Sequence, residues 1–282
     1  MSTAAAAAPA TLAGIEGKLV LIGAGKMGTA MLEGWLNLGL AGQRVAVIEP
    51  NPSPAVLALA KLGIALNPPV ACLGTVGTVV VAVKPQVAPE ALPVLAPVVG
   101  AATLVISIMA GRTLDFLQRS FPAATAVVRA MPNTPAAIGR GMTVAVADAR
   151  VDASQRDLAH RLLAATGAVD WVDDERLMDA VTAVSGSGPA YVFLLAESLA
   201  RAAVAAGLPS DLAERLARET VAGSGELLHR SHLSAATLRE NVTSPGGTTA
   251  AALAVLMNAD GLDPLLRKAV EAAARRSREL AG

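Results

Sequence analysis

The chain has 282 residues, enough for one large domain or two ordinary ones. Lysine plus arginine and aspartate plus glutamate balance at 23 each, so no basic excess draws it to phosphate backbones, and a nucleic-acid partner is not expected. Hydrophobic residues make up 53% and aromatics 2%, which leaves a core of Ala, Val, Leu and Ile, and the single cysteine excludes an intrachain disulfide or a multi-thiolate metal site.

In chain order, Met1–Gly17 reads as a loose tail, Ala-rich at its start. It has no positively charged stretch ahead of a long Leu-rich run, so no export signal is read and the cytoplasm is the default compartment. Lys18–Ile22 is an apolar run ending in glycine. Met27–Leu38 has helical periodicity and stops near Gly39. Arg44–Ile48 is a second apolar run, and Pro54–Leu62 is helical up to Gly63. Cys72 is expected as a small buried apolar residue. Thr78–Val83 is a third run, followed by Lys84-Pro85. The mean hydropathy of +0.51 raises the question of a membrane span, and Ala91–Gly111 is the longest uncharged stretch. Pro93, Pro97 and Gly100 break it, so it reads as a helix, a turn and the buried strand Thr103–Ile108. Ala126–Val128 is a fifth run, and Thr143–Ala147 adds a strand near the edge. Short apolar runs spaced by helices predict βαβ units and a parallel sheet covered on both faces.

The pattern changes after Asp173. Leu177–Val184, Ala190–Ala206, Leu212–Leu228, Ala235–Asn241, Thr249–Met257 and Pro264–Leu280 are all helical in period, with Gly, Pro and Ser stops between them. His160, His229 and His232 fall outside metal-ligand spacings, and no metal is expected. The predicted fold class is therefore α/β then all-α. After the tail 1–17, a doubly wound dinucleotide-binding domain spans 18–172 and a helical domain spans 173–282.

Gly23, Gly25 and Gly28 fit G-x-G-x-x-G directly after a strand and at the opening of a helix, the context that makes this motif informative. Gly23 permits the turn, Gly25 lets the backbone approach a pyrophosphate, and Gly28 lets the helix pack on the sheet. The uncapped helix start offers N–H groups to phosphate. Glu49 ends the second strand, roughly 20 positions on, where an acid can accept from a ribose 2′-OH and favour NAD over NADP. An ordinary solvated glutamate competes with that reading, and Asn51 and Ser53 could still bond a 2′-phosphate, so both dinucleotides stay open. Lys84 and the end of the Thr103–Ile108 strand lie beyond strand carboxyl ends and are expected in the same crevice.

Two further stretches begin helices with small, hydroxyl-bearing residues: Ser185–Tyr191 and Thr243–Thr249. Exposed N–H groups at such starts can hold a carboxylate, and Thr248 and Thr249 can donate to a substrate oxygen or nitrogen. Plain N-capping is the competing explanation for each. No triad or paired carboxylates stand out, which suits hydride transfer with little acid–base help.

At these residues the chain resembles the pyrroline-5-carboxylate reductases. The likeness rests on Ile22-Gly23-Ala24-Gly25-Lys26-Met27-Gly28, Ala82-Val83-Lys84-Pro85, Met131-Pro132-Asn133-Thr134-Pro135, Ser185–Tyr191 and Asn241–Thr249, in that order. It implies reduction of the C=N bond of 1-pyrroline-5-carboxylate to L-proline with NADP(H) or NAD(H). It implies that Asn241, Gly247, Thr248 and Thr249 contact the substrate, with Thr249 donating to the ring nitrogen, and that Glu175 lies close to it. It implies cofactor contacts from Ile22–Gly28, from Glu49 and Asn51, from Ala82–Pro85 and from Ile108, Met109 and Ala110. It further implies a homodimer or a ring of dimers, with no membrane partner. Glu49 stands where many members have a small hydroxyl residue, and Val70 where some carry a polar cofactor contact. A β-hydroxyacid dehydrogenase is the alternative enzyme, weakened by the lack of a lysine between Asp173 and Met257. A nucleotide-sensing protein without turnover is the alternative outside enzymology.

Overall fold

Strands of Val, Ile, Leu and Ala pair into one eight-stranded sheet in a computed structural model that describes residues 11–122 and 124–281. The strands are β1 (Lys18–Ile22), β2 (Val45–Ile48), β3 (Ala65–Leu66), β4 (Val76–Val81), β5 (Leu104–Ser107), β6 (Ala126–Met131), β7 (Gly141–Ala147) and β8 (Gly167–Trp171). Their order is β3-β2-β1-β4-β5-β6-β7-β8. The first six run parallel in the 3-2-1-4-5-6 order of a dinucleotide fold. The order reverses between β1 and β4, which pair from Leu19↔Thr78 to Ile22↔Val81.

The helices around this sheet are α1 (Lys26–Asn37), α2 (Pro54–Ala60), α3 (Ala88–Ala91), α4 (Leu114–Ser120), α5 (Ala153–Ala164) and α6 (Met178–Val181). Successive side chains of a strand face opposite ways, so a sheet covered on both sides needs apolar residues at every position. That is what β1 supplies. Leu19 and Leu21 join Trp35 of α1 and Leu162 of α5 in one core, while Val20 and Ile22 join Leu92, Leu95 and Leu117 in the other.

Several elements differ from the sequence expectation. β7 runs antiparallel to β6, because residues 132–140 are too few for a crossover, which takes about a dozen or more. β8 has no apolar run; its residues alternate between half-buried and exposed, as befits the edge of the sheet. α5 was announced by a capping box, Asp152 with Gln155, that the periodicity reading passed over. The buried run in 91–111 is β5, preceded by α3 and a 3₁₀ turn, Pro93–Val98. Cys72 is exposed rather than buried, since it sits on a one-turn 3₁₀ segment outside both cores. Residues 11–17 are packed and not loose: Leu12 and Ile15 join the first core, and the Leu12 N–H bonds the Leu38 carbonyl. Residues 1–10 of the expected tail lie outside the described residues.

Two compact units divide the chain. The first runs to Gly186 and takes in the end of the last helix from Ala274; the second is Ser187–Ala273. The second unit is helical throughout, with α7 (Gly188–Ala205), α8 (Ser210–Arg230), α9 (Ala235–Asn241), α10 (Thr248–Leu256) and the start of α11 (Leu262–Ala281). Within it α7, α9 and α10 have no buried residue, and apolar side chains such as Phe193, Leu195, Val255 and Met257 are exposed. No helix among the described residues is long and apolar enough to cross a membrane.

Candidate active site

The reversal of strand order opens a crevice at the carboxyl ends of β1 and β4. β1 stops at Ile22 and the chain turns at Gly23, whose φ is +84°. The Gly23 N–H bonds the Ile48 carbonyl and the Ala82 N–H bonds the Ile22 carbonyl, which ties the turn to both neighbouring strands. A Cβ on Gly23 would lie 2.7 Å from the Ala82 carbonyl oxygen, and one on Gly28 would overlap the Gly23 carbonyl oxygen. A Cβ on Gly25 would meet no protein atom within 4 Å. Gly23 and Gly28 thus serve the fold, and the space beside Gly25 is left for something else.

Two cavities share that space. One, of about 500 Å³, lies between Gly25–Met27, Ala82–Pro85, Ile108–Ala110 and Pro132. The other, of about 460 Å³, lies between Ala24–Lys26, Glu49, Asn51 and Ser53, with Thr29, Ala30 and Glu33 on the α1 side. The sequence-predicted cofactor residues are therefore brought together, with Ile22, Gly23 and Gly28 forming the frame and the rest the lining. Gly25 is the N-cap of α1 and brings no side-chain cap to its first turn. Those N–H groups, beside a cavity and at the positive end of a twelve-residue helix, suit a pyrophosphate. The residues present thus fit a dinucleotide: a cradle without side chains in the middle and a groove on either side.

Sequence reasoning missed four residues of this site. Thr29 and Glu33 follow Gly25 at helical spacing, so periodicity alone could have placed them on the cavity face. Thr29 also donates to the Ala24 carbonyl at 2.9 Å, fixing the glycine turn. Arg112 donates to the Pro85 carbonyl at 2.9 Å and lies over the Phe116 ring, bracing the Lys84-Pro85 loop. Asn67 bonds Glu49 from the end of β3, a link between strands that no local pattern announces.

Glu175 also lies in the first unit. Its Oε1 accepts from Arg129 Nη1 at 2.7 Å and from the Leu114 N–H at 2.8 Å, at the start of α4. Arg129, on β6 beside Ser107, is buried. The neighbouring Asp174 is held below the usual carboxylate range by a side-chain hydrogen bond from Arg176 and then by the Arg176 N–H. Asn133, of the Met131–Pro135 motif, donates to Ser185 Oγ at 3.2 Å, and Ser185 belongs to a π-helical turn, Thr182–Gly186.

The remaining predicted substrate residues share one turn of the second unit. Asn241 ends α9, Gly246 takes φ +69°, and Gly247 is the N-cap of α10 with no side-chain cap. Thr248 and Thr249 are its first two helical residues. The turn is closed by the Gly247 N–H to the Ser244 carbonyl and by Thr243 Oγ1 donating to the Arg239 carbonyl. It presents two hydroxyls and a free helix start, which together can bind an anion and donate to a neutral acceptor.

Comparison with known proteins matches both parts. The family model for pyrroline-5-carboxylate reductase dimerisation covers residues 175–280, and that for NADP oxidoreductase, coenzyme F420-dependent, covers residues 18–111. A pyrroline-5-carboxylate reductase of Synechocystis is 49% identical over 71% of this chain and 73% of its own length. The structure of the Coxiella burnetii pyrroline-5-carboxylate reductase superposes with a TM-score of 0.87 at 34% identity, covering 94% of this chain and 99% of that one. The Plasmodium falciparum pyrroline carboxylate reductase, solved with NADP bound, gives 0.78 at 29% identity over 94% and 98%. Fold, crevice and sequence agree, and the chain belongs to the pyrroline-5-carboxylate reductase family.

Proposed function

We infer that the chain reduces the C=N bond of 1-pyrroline-5-carboxylate to L-proline with NAD(P)H, as the last step of proline synthesis, and works as a homo-oligomer with the cytoplasm as its compartment. The observation that carries this reading is the full-length likeness to these reductases, joined to a side-chain-free cradle at the strand reversal. The dinucleotide, when bound, supplies the hydride. Residues 18–172 form its binding domain, with Ile22–Gly28 and Ala82–Pro85 on the two sides of the reversal and Ile108–Ala110 along the groove.

The chain's own task on the substrate side is to hold and orient. The N–H groups of the α10 start, at Thr248 and Thr249, suit the substrate carboxylate, with Gly247 keeping side chains away from them and Asn241 flanking the turn. Thr249 donates its hydroxyl to the ring nitrogen. That bond holds while the imine is neutral; once the nitrogen has taken up a proton from water, its N–H donates to Thr249 Oγ1 instead, and the iminium carbon is electrophilic enough that no strong catalytic acid is needed. Positioning of this kind can lower a barrier by roughly 7–11 kcal/mol, and one hydroxyl donor adds a smaller electrostatic contribution. Glu175 is proposed to act through its neighbours: its bonds to Arg129 and Leu114 fix the strand end and helix start that follow the Ile108–Ala110 loop.

Self-association is supported by the dimerisation match over 175–280 and by the exposed apolar side chains of α7 and α10. The direct test is oxidation of NADH or NADPH by the purified protein when 1-pyrroline-5-carboxylate is added. No substrate-dependent loss of the nicotinamide band rules the reading out.

A further inference from the structure

The second cavity holds a device that the family likeness does not supply. The Glu49 carboxylate is fixed from two directions: Oε2 accepts from the Ala24 N–H of the glycine turn at 2.9 Å, and Oε1 accepts from the Asn51 N–H at 3.0 Å. Its own backbone is fixed as well. The Glu49 N–H donates to Asn67 Oδ1 at 2.8 Å, and Asn67 Nδ2 donates to the Glu49 carbonyl at 2.9 Å. The Asn67 side chain thus brackets both backbone polar groups of Glu49 as a residue of a neighbouring strand would. To do so Asn67 adopts φ +48°, the one left-handed non-glycine among the described residues, and it does this immediately before Pro68. Asparagine and aspartate tolerate that region better than most residues, and only glycine adopts it without steric cost.

We propose that Asn67 is the positioning residue that presents Glu49 to the adenosine ribose, and that this bracket makes the chain prefer NADH to NADPH. The proposal rests on the dinucleotide reading of the crevice. A carboxylate has about four acceptor positions, and the Ala24 and Asn51 N–H groups use two of them. Two remain, which matches the two vicinal hydroxyls of an unmodified ribose. A 2′-phosphate removes one of those donors and brings a charge of about −1.5 to −2 against a carboxylate that is held in place. Among the residues lining this cavity, Glu33 adds a second carboxylate, and Lys26 is the cation, at the first position of α1 beside the cradle. The carboxylate cannot swing aside without releasing the Ala24 N–H and Asn51 N–H, and its backbone cannot shift without breaking both Asn67 bonds.

The test measures binding by the intact protein without substrate. Titration with NADH and with NADPH, followed by the change in nicotinamide fluorescence, gives the ratio of dissociation constants for wild type, Glu49→Ser, Asn67→Gly and Asn67→Asp. Glycine keeps the left-handed backbone and removes the bracket; aspartate keeps the acceptor for the Glu49 N–H and loses the donor to its carbonyl. Wild type is expected to bind NADH more tightly by roughly tenfold, the factor of one charge-assisted hydrogen bond. Glu49→Ser abolishes the preference, and both Asn67 variants reduce it severalfold by weakening NADH binding while leaving NADPH binding nearly unchanged. If Asn67→Gly unfolds, Asn67→Asp decides. An unchanged ratio in the Asn67 variants, or an equal loss of both dinucleotides, overturns the positioning role. A wild-type preference for NADPH overturns the preference itself. Folded wild type that binds neither dinucleotide instead refutes the reading of the crevice on which the proposal rests.

Discussion

In the proposed reaction Thr249 is the donor to the ring nitrogen. It lies half-buried at the second position of α10, behind a glycine N-cap that adds no side chain of its own. Thr249→Ala is expected to lower kcat about a hundredfold while dinucleotide binding stays intact, because only the donor to the ring nitrogen is lost. Steady-state kinetics beside a dinucleotide titration checks this, and an unchanged kcat removes Thr249 from the site. Glu175 makes a different demand. Its partner Arg129 has a side chain only 6% exposed, so removing the carboxylate strands a buried guanidinium. Glu175→Ala should cost about 3–5 kcal/mol of unfolding free energy by urea titration, and adding Arg129→Met should recover part of it. No loss in the single variant would mean that the pair is solvated in practice. The sequence states residue types at these places but not their partners: Glu49 was legible as a strand-end acid, whereas its ties to Ala24 and Asn67 arise only when three strands are side by side.

Among the elements, α1 has the most to satisfy. Its start must serve the cradle, its apolar face must cover the sheet, and its end must pass close to α5. Trp35 is fully buried and its indole N–H donates to the Leu162 carbonyl at 2.8 Å. Gly34 makes room for the crossing: a Cβ there would lie 2.5 Å from the Ala165 carbonyl oxygen. Gly34→Ala should therefore destabilise the protein by about 1–3 kcal/mol, despite the better helix propensity of alanine. Thermal unfolding measures it, and a gain in stability would show that α5 yields. Elements with continuous apolar runs, such as β1, β4 and β5, were readable from sequence because burial on two faces leaves one pattern. β8 was not, since an edge strand alternates, and β7 was read as a strand without its direction, which depends on a connection too short to cross over. Over the π-helical turn Thr182–Gly186 the sequence predicts an ordinary helix to Val184 and a stop at Gly186, because the irregularity lies in backbone pairing and not in residue type.

At the scale of the molecule, a helical unit with so many exposed apolar side chains is not built to stand alone in water. Phe193 on α7 is 67% exposed and Val255 on α10 is equally so. Light scattering should give a mass of at least twice the 28.3 kDa chain, and Phe193→Asp should lower it. A wild-type monomer at micromolar concentration would contradict self-association. The change from strands to helices after β8 was legible in the sequence, as were the glycine turn of the first unit and the hydroxyl-rich helix start of the second. Residues 11–17 were misread because two apolar residues among alanines and glycines, Leu12 and Ile15, carry no period to reveal that they reach the core. The central claim is that these parts serve one hydride transfer to a cyclic imine. It is tested most directly by mixing the purified protein with 1-pyrroline-5-carboxylate and NADH, and in parallel with NADPH, while following the nicotinamide band and the proline formed. Substrate-dependent oxidation with matching formation of proline, more efficient with NADH, is the predicted result. No oxidation beyond the substrate-free rate with either dinucleotide would contradict it.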